Sequence, residues 1–358
     1  MLRRELLKSA AGAALLFGAP AALAARPDPV SLGAVAAEAG IVFGCSFDRE
    51  TIEVKPYGDL VRRHARTLTT DVALKFGSLR GRGPEADFHL ADRMIDFAAA
   101  LRLPVRGHNL IWGDFNPDWL KKESTARRIY WFDRHIDEVV GRYAGRIAAW
   151  DVVNEPFWPD HGLPHGLRGG PWYEALGPIY VERAFRRTAL ADPEAKLLLN
   201  EAFTEKPDRL GLKVREGLVW LTRELKDRGV PLHVVGLESH MPGDGSFDPP
   251  GFRRLLSDLA ETGVDLALTE LDVDDHPIPG DAAARDRVVA EIYRATLETA
   301  LDEPKVREIV CWQLADGFSH YRDIYGKDAR PLPFDRDLKP KPAFDAMVAT
   351  FRKWAGRR

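Results

Sequence analysis

The sequence is short of several things, and each shortage closes off a reading. Two cysteines, Cys45 and Cys311, in 358 residues make no disulfide framework. Each lies in an apolar, strand-like run, so two buried thiols are expected. No basic run crosses the body of the chain, and 51 Lys+Arg against 54 Asp+Glu leave a net charge of −3. That balance excludes a nucleic-acid partner. No apolar stretch reaches the length of ~20 residues that a membrane helix needs. There is no HExxH for zinc, no GxSxG elbow for a serine hydrolase, and no glycine-rich phosphate loop after the first apolar run. No cofactor and no metal are implied.

What is present starts at the N-terminus. MLRRELLKSAAGAALLFGAPAALAARP has a basic start, an apolar stretch and small residues at its end, the plan of a secretory signal. Arg3 and Arg4 stand together, as in twin-arginine export signals. Residues 1–24 read as that signal, with cleavage after Ala24 or Ala25, and residues 25–358 read as one domain. The expected location is periplasmic or secreted.

Short apolar runs alternate with longer amphipathic segments. The runs are Ile41–Phe47, Ala65–Thr69, Pro104–Asn109, Ala148–Asn154, Lys196–Asn200, His233–Ser239, Leu266–Leu271 and Glu308–Trp312. Their nearly continuous apolar character fits strands covered on both faces. Between them, Leu90, Met94, Phe97 and Leu101 share a helical face, as do Ile129, Phe132, Ile136, Val140 and Tyr143. Leu210, Val214, Leu218, Leu221 and Leu225 form a third, with Gly229 as its C-cap. A last helix is expected over Pro342–Trp354. Eight strands alternating with helices predict an α/β fold, a single-domain (β/α)₈ TIM barrel, with an open doubly wound sheet as the alternative. Closure would set the first and eighth strands side by side, and Cys45 beside Cys311.

A barrel puts its chemistry at the C-terminal ends of its strands. Two glutamates fall there: Glu155, in AAWDVVNEPF, and Glu270, in VDLALTELDV. Paired carboxyl groups facing across a cleft suit glycosidic bond cleavage, one protonating the leaving oxygen and the other serving the sugar carbon. Glu155 is the better acid candidate, with Asn154 beside it to hold a hydroxyl. Glu270 is the better nucleophile, with His240 and Asp272 forming an Asp–His–Glu chain that fixes the imidazole tautomer. His108, Asn109, Asn200 and Trp312 also close strands. Taken singly, each of these residues is as well explained by a solvated strand end or a core aromatic; the set carries the reading.

The set resembles glycoside hydrolase family 10, the β-1,4-xylanase family with a (β/α)₈ barrel. RGHNLIW (Arg106–Trp112) is similar to the family's RGHTLVW, WDVVNEP (Trp150–Pro156) to its acid/base motif and LTELDV (Leu268–Val273) to its nucleophile motif. NEAF (Asn200–Phe203), GLESH (Gly236–His240), WQLADGFSH (Trp312–His320) and KPKPAF (Lys339–Phe344) follow in the family's order. The resemblance implies Glu155 as acid/base and Glu270 as nucleophile, supported by Asn154, His240 and Asp272. It implies sugar contacts from Lys75, His108, Trp112 and Trp312. The function it implies is a retaining endo-β-1,4-xylanase acting on xylan or a related polysaccharide.

The departures fall on sugar recognition. Asp71 and Val72 stand where the family has a Glu–Asn pair, and Gly113-Asp114-Phe115 replaces its HSQ. Glu238 replaces a glutamine near the nucleophile and would raise the pKa of Glu270 unless it is itself protonated or paired. His320 replaces the second cleft tryptophan. The alternatives are therefore a relative acting on another β-linked glycan or oligosaccharide, and a non-catalytic carbohydrate-binding barrel.

Overall fold

The apolar runs become parallel strands because helices cover their outer faces and residues of opposite strands fill the space between them. The structure is a computed structural model that describes residues 30–326 and 328–357; the expected signal at 1–24 lies outside the described residues. The strands are β1 (Val42–Phe47), β2 (Thr67–Thr70), β3 (Val105–Gly107), β4 (Ala149–Asn154), β5 (Lys196–Glu201), β6 (Val234–Leu237), β7 (Asp265–Asp274) and β8 (Val306–Cys311). Each pairs in parallel with the next, and β8 pairs with β7 on one side and β1 on the other. Among the described residues the eight strands thus close on themselves into a (β/α)₈ barrel, and the open-sheet alternative falls. Two short strands extend the rim. Ile111–Trp112 pairs with the end of β4, and His240–Pro242 pairs with Asp272–Asp274 of β7.

Alternation along β5 shows how the barrel is filled. Leu197 and Leu199 face outward into the large sheet–helix core. Leu198, between them, packs inside the barrel with Val234, Ala267 and Ala149. Two residues further along each strand the interior turns polar, at Asn200, Gly236 and Thr269. Arg106 lies in the same interior, donating to Thr69 Oγ1 at 3.0 Å and to the Thr269 carbonyl at 2.8 Å. The barrel therefore changes from apolar to hydrogen-bonded toward the C-terminal ends of its strands, and buried polar groups there need fixed partners.

Two glycines make room for this. A Cβ on Gly107 would lie 2.4 Å from the ring of Trp150, and one on Gly236 would lie 2.4 Å from Asn200 Oδ1. Gly236 lies under Asn200 near the mouth and Gly107 under Trp150 of the sheet–helix core, so no larger residue fits at either without displacing that side chain.

The helices follow their sequence signals with small shifts. His89–Leu101 buries Ala91, Met94, Ile95 and Ala98, while Leu90 and Phe97 pack at its edge. The buried stripe is thus one position off the larger apolar residues, because alanines allow the closer approach to the sheet. Thr125–Tyr143 buries Phe132, Ile136, Val140 and Tyr143 as patterned and starts at Ser124, whose hydroxyl accepts from Arg127 N. Arg209–Asp227 starts at Asp208, which accepts from Gly211 N at 2.8 Å, a cap worth about 1 kcal/mol. Its C-cap is Arg228; Gly229 follows in the left-handed region at φ 62°. The last helix, Pro342–Ala355, sets Phe351 edge-on to Phe43 of β1 at 6.3 Å.

Cys45 and Cys311 are register partners across β1 and β8, and both are free thiols with no exposed surface. Burial pushes both thiols far up, so neither forms the reactive thiolate. A thiol-specific chromogenic reagent should therefore find no reactive cysteine in the folded chain and two after denaturation. Fast reaction under native conditions would contradict this closed seam.

Candidate active site

Glu155 leaves β4 with a backbone φ of 44°, a left-handed conformation that costs a non-glycine residue about 1–3 kcal/mol. Its N–H donates to the Asn200 carbonyl at 2.9 Å, which anchors the turn to β5. Its Oε1 accepts from Asn154 Nδ2 at 3.2 Å. Its Oε2 pairs with Arg168 Nη2 at 2.6 Å, and Arg168 Nε also holds the Glu155 carbonyl at 2.7 Å. Arg168 in turn bonds Asp114.

Glu270 sits within β7 rather than at its end. The strand runs on to Asp274 because His240–Pro242 pairs with it there, a continuation that a Leu266–Leu271 strand does not include. Glu270 Oε1 accepts from Asn200 Nδ2 at 2.9 Å. Its Oε2 lies 3.5 Å from His240 Nε2, while His240 Nδ1 meets Asp272 Oδ1 at 2.8 Å. The expected Asp–His–Glu chain is thus present in its order. Asn154 Oδ1 accepts from the same Asn200 amide at 2.8 Å, so Asn154 and Asn200 link Glu155 to Glu270.

The other residues singled out in the sequence gather nearby. Strand β3 stops at Gly107, so His108 and Asn109 follow it rather than close it. His108 Nδ1 lies 2.8 Å from Asp151 Oδ2 and 3.9 Å from Glu270 Oε1. Its ring stands edge-on to buried Trp312, with centroids 5.3 Å apart. Lys75 Nζ lies 5.2 Å from the centroid of half-buried Trp112. A cavity beside Glu155, Glu238 and His240 is lined further by Phe203, Lys206 and Tyr321.

The electrostatics separate the two glutamates. Burial pushes the Glu155 carboxyl above the usual range; Glu270 and Asp114 add to this against the pull of Arg168 and Lys75. Burial would raise Glu270 too, but His108, His240 and Lys75 outweigh it and hold it down to about 2. One carboxyl is therefore neutral where the other is charged, the division of labour that acid and nucleophile need. Glu238 does not raise Glu270. Its own carboxyl is driven well up by burial and by Glu270 and Glu155.

Glu238, His240 and Glu270, and likewise His240, Asp272 and His320, each bring one ligand-type atom within 4.8 Å. His240 Nδ1 is engaged by Asp272 Oδ1, while Asp272 Oδ2 and His320 Nδ1, 3.6 Å apart, have no hydrogen-bond partner among the described residues.

The substituted positions have their own settings. Asp71 Oδ2 accepts from Gln313 Nε2 at 3.3 Å. Val72 is 41% and Phe115 54% exposed, two apolar surfaces open to solvent. His320 turns toward His240, 5.4 Å away between ring centroids, with its Nδ1 3.6 Å from Asp272 Oδ2.

Sequence reasoning passes over Arg168, Asp151 and the role of Asn200. Arg168 comes from the irregular segment after β4, where no periodicity marks it. Asp151 and Asn200 carry a usable signal: each is a polar residue at an inward position of an apolar strand.

The family described as glycosyl hydrolase family 10 matches residues 31–350 of the chain. The chain is 32% identical over 318 residues to endo-1,4-beta-xylanase A of Caldicellulosiruptor sp. (strain Rt8B.4), covering 81% of this chain and 43% of that protein. It is 30% identical over 310 residues to the beta-1,4-xylanase of Dictyoglomus thermophilum, covering 83% and 85%. Xylanase 10B from Thermotoga maritima superposes with a TM-score of 0.83 at 28% identity, over 92% of this chain and 100% of that one. The Thermotoga petrophila RKU-1 xylanase 10B solved with xylobiose gives the same TM-score at 27% identity, with the same shares of the two chains.

His240 is a test of the electrostatics. Burial works against its charged form, but Asp272 and Glu270 outweigh this and raise its pKa well above the usual value. The wild-type imidazolium should therefore persist through neutral pH. Asp272→Asn removes the strongest partner, so His240 should release its proton at a lower pH than in the wild type. A pH titration of the imidazole nitrogens by NMR reads this directly; an unmoved midpoint would show that Asp272 does not set the charge.

Proposed function

Because the chain belongs to glycosyl hydrolase family 10, we propose that it is a retaining endo-β-1,4-xylanase, with Glu155 as acid/base and Glu270 as nucleophile. The observation that carries this is the pair of glutamates at the barrel mouth joined through Asn154 and Asn200, in settings that raise the carboxyl of one and lower that of the other. In the first step Glu155 gives its proton to the glycosidic oxygen. The C–O bond breaks as a Glu270 oxygen bonds to the anomeric carbon, leaving a glycosyl-enzyme ester. In the second step Glu155, now a carboxylate, takes a proton from water. The water oxygen bonds to the anomeric carbon and Glu270 leaves with its electron pair. Glu155 ends protonated, as it began.

Each supporting residue has a task in this cycle. His240, oriented by Asp272, and the Asn200 amide keep Glu270 ionised and aimed. Arg168 keeps Glu155 in place in both of its protonation states. Asn154, in reach of Glu155, would hold the sugar 2-hydroxyl in a bond that strengthens in the transition state. Lys75 and His108 would bind the sugar on the non-reducing side. Trp312 would wall it and Trp112 would flank it.

A second reading has its own observation. Exposed Val72 and Phe115 put apolar surface where the resemblance leads one to expect polar sugar-binding groups. Each lost sugar hydrogen bond costs about 0.5–1.5 kcal/mol, which would favour another β-linked glycan over xylan.

Export is part of the proposal. The basic start, the apolar stretch and Arg3–Arg4 support a twin-arginine signal that takes the folded chain out of the cytoplasm. Replacing Arg3 and Arg4 by lysine should leave the enzyme in the cytoplasmic fraction of expressing cells; unchanged export would sink this route.

The activity is tested by reducing-sugar release from β-1,4-xylan. The wild type should release sugar and Glu270→Ala none. Glu155→Ala should fall by about 10²–10⁴-fold, the contribution of a general acid. No release by folded wild type would turn the search to other β-glycans, and equal release by all three would leave only a carbohydrate-binding barrel or an impurity.

A further inference from the structure

Glu238 stands at the barrel mouth in the place where the resemblance leads one to expect an uncharged amide. It directly follows β6 and is 4% exposed, as is Glu270. Its main chain lies between those of two other glutamates: its N–H donates to the Glu201 carbonyl, and its carbonyl accepts from Glu270 N, both at 2.9 Å. Its side chain uses the same partners as Glu270. Asn200 Nδ2 reaches Glu238 Oε1 at 3.1 Å and Glu270 Oε1 at 2.9 Å. His240 Nε2 lies 3.6 Å from Glu238 Oε2 and 3.5 Å from Glu270 Oε2. An oxygen of each carboxyl lies within 4.8 Å of the other.

Counting hydrogens decides what this arrangement holds. The Asn200 amide nitrogen carries two hydrogens but faces three acceptors, the third being Asn154 Oδ1 at 2.8 Å. His240 Nε2 offers one hydrogen to two carboxyls, and its Nδ1 is committed to Asp272. Two ionised carboxylates so close, buried and short of donors, cannot both be satisfied. Other carboxyls crowd the pair: Glu155 at the end of β4, and Glu201 of β5 behind it with its oxygens held by Phe157 N and Ala202 N, while Lys206, which lines the same cavity, pairs with Asp244. Glu205 accepts from Ser239 N on the loop after β6. The nearest cations beyond His240 serve other groups: Arg168 is bonded to Glu155 and Asp114, and Lys75 acts on Glu155 and Glu270.

We propose that Glu238 is a positioning residue that works as a carboxylic acid: it keeps its proton through the catalytic cycle and leaves the shared donors to Glu270. The inference rests on the reading of Glu270 as nucleophile. In this form the three glutamates hold two protons. The one on Glu155 moves in each step of the cycle, and the one on Glu238 stays. Burial and the neighbouring glutamates raise the Glu238 pKa well above the usual value, which sets the sign. The acid form persists where an ordinary glutamate is charged and is lost only as pH rises further. Once ionised, Glu238 competes with Glu270 for Asn200 and His240 and pushes against it.

The test compares the full-length wild type with Glu238→Gln, which has nearly the same shape, donates through an amide in place of the acid O–H and cannot ionise, and with Glu238→Ala. Glu238→Gln should keep the alkaline limb of kcat/KM on xylan where the wild type has it, since Glu155 loses its proton before Glu238 does. Glu238→Gln should also recover at least about tenfold of the kcat/KM lost in Glu238→Ala. Infrared difference spectra of wild type against Glu238→Gln should contain a carboxylic-acid carbonyl band at neutral pH that fades as pH rises. A limb moved up by about one pH unit or more, which would make Glu238 ionise before Glu155, or a difference spectrum with carboxylate bands alone at neutral pH, overturns the proposal. The infrared readout needs no activity, so it stands even if Glu238→Ala fails to fold. Activity surviving in Glu270→Ala would instead break the nucleophile reading while leaving the infrared result intact.

Discussion

The mouth of this barrel depends on one shortage: carboxyl groups outnumber the hydrogens available to them. Glu155, Glu238 and Glu270 gather at the rim with Glu201 of β5 behind them, and the amide of Asn200 has two hydrogens to share among Glu238, Glu270 and Asn154. Each carboxyl is resolved differently. Glu201 is satisfied by the backbone N–H groups of Phe157 and Ala202, and Glu155 by Arg168 and Asn154. Glu270 takes the shared amide and the imidazolium of His240. Glu238 is left to hold a proton. The separation of charge states that chemistry requires therefore comes from competition for donors as much as from burial.

The fold makes that competition possible by bringing eight strand ends to one rim. Inside the barrel the lining turns from Leu198, Val234 and Ala267 to Asn200, Gly236 and Thr269 within one pleat repeat. Gly236 leaves the space that Asn200 fills, and Thr269 donates to Asn200 Oδ1 at 2.6 Å, which fixes the amide with its hydrogens toward the carboxyls. Without that bond the amide could turn over and present oxygen to oxygen. The strained backbone at Glu155 belongs to the same design, since its N–H is tied to the Asn200 carbonyl.

Reaction and recognition are separable here. The groups around the two glutamates form a closed, buried network, whereas the altered positions Val72 and Phe115 lie in solvent. A buried network tolerates little change because each unsatisfied group costs ~1–3 kcal/mol, while exposed positions change at little cost to the fold. Substrate preference can therefore drift in this chain while the proposed chemistry stays in place.

The sequence by itself determined the strand and helix pattern, and with it the barrel, because two-sided burial leaves near-continuous apolar runs and amphipathic helices leave a period near 3.6. It also determined that Glu155 follows a strand, and that His240 and Asp272 could act together, since motif spacing records strand ends. Even so, the face of His89–Leu101 shifted by one position, because close packing selects alanine over bulk, and β7 ran on past Glu270 because a partner strand was there to pair with it. Tertiary structure alone decided the rest. Arg168 reaches Glu155 from an irregular segment, Asp151 meets His108 from a neighbouring strand, and Asn200 serves residues of β4 and β7 and the loop after β6. Such partnerships depend on where closed strands bring side chains within 3 Å or so of each other. The charge on Glu238 depends on them too, for a glutamate in a sequence carries an ordinary pKa until the fold shows how few hydrogens reach it.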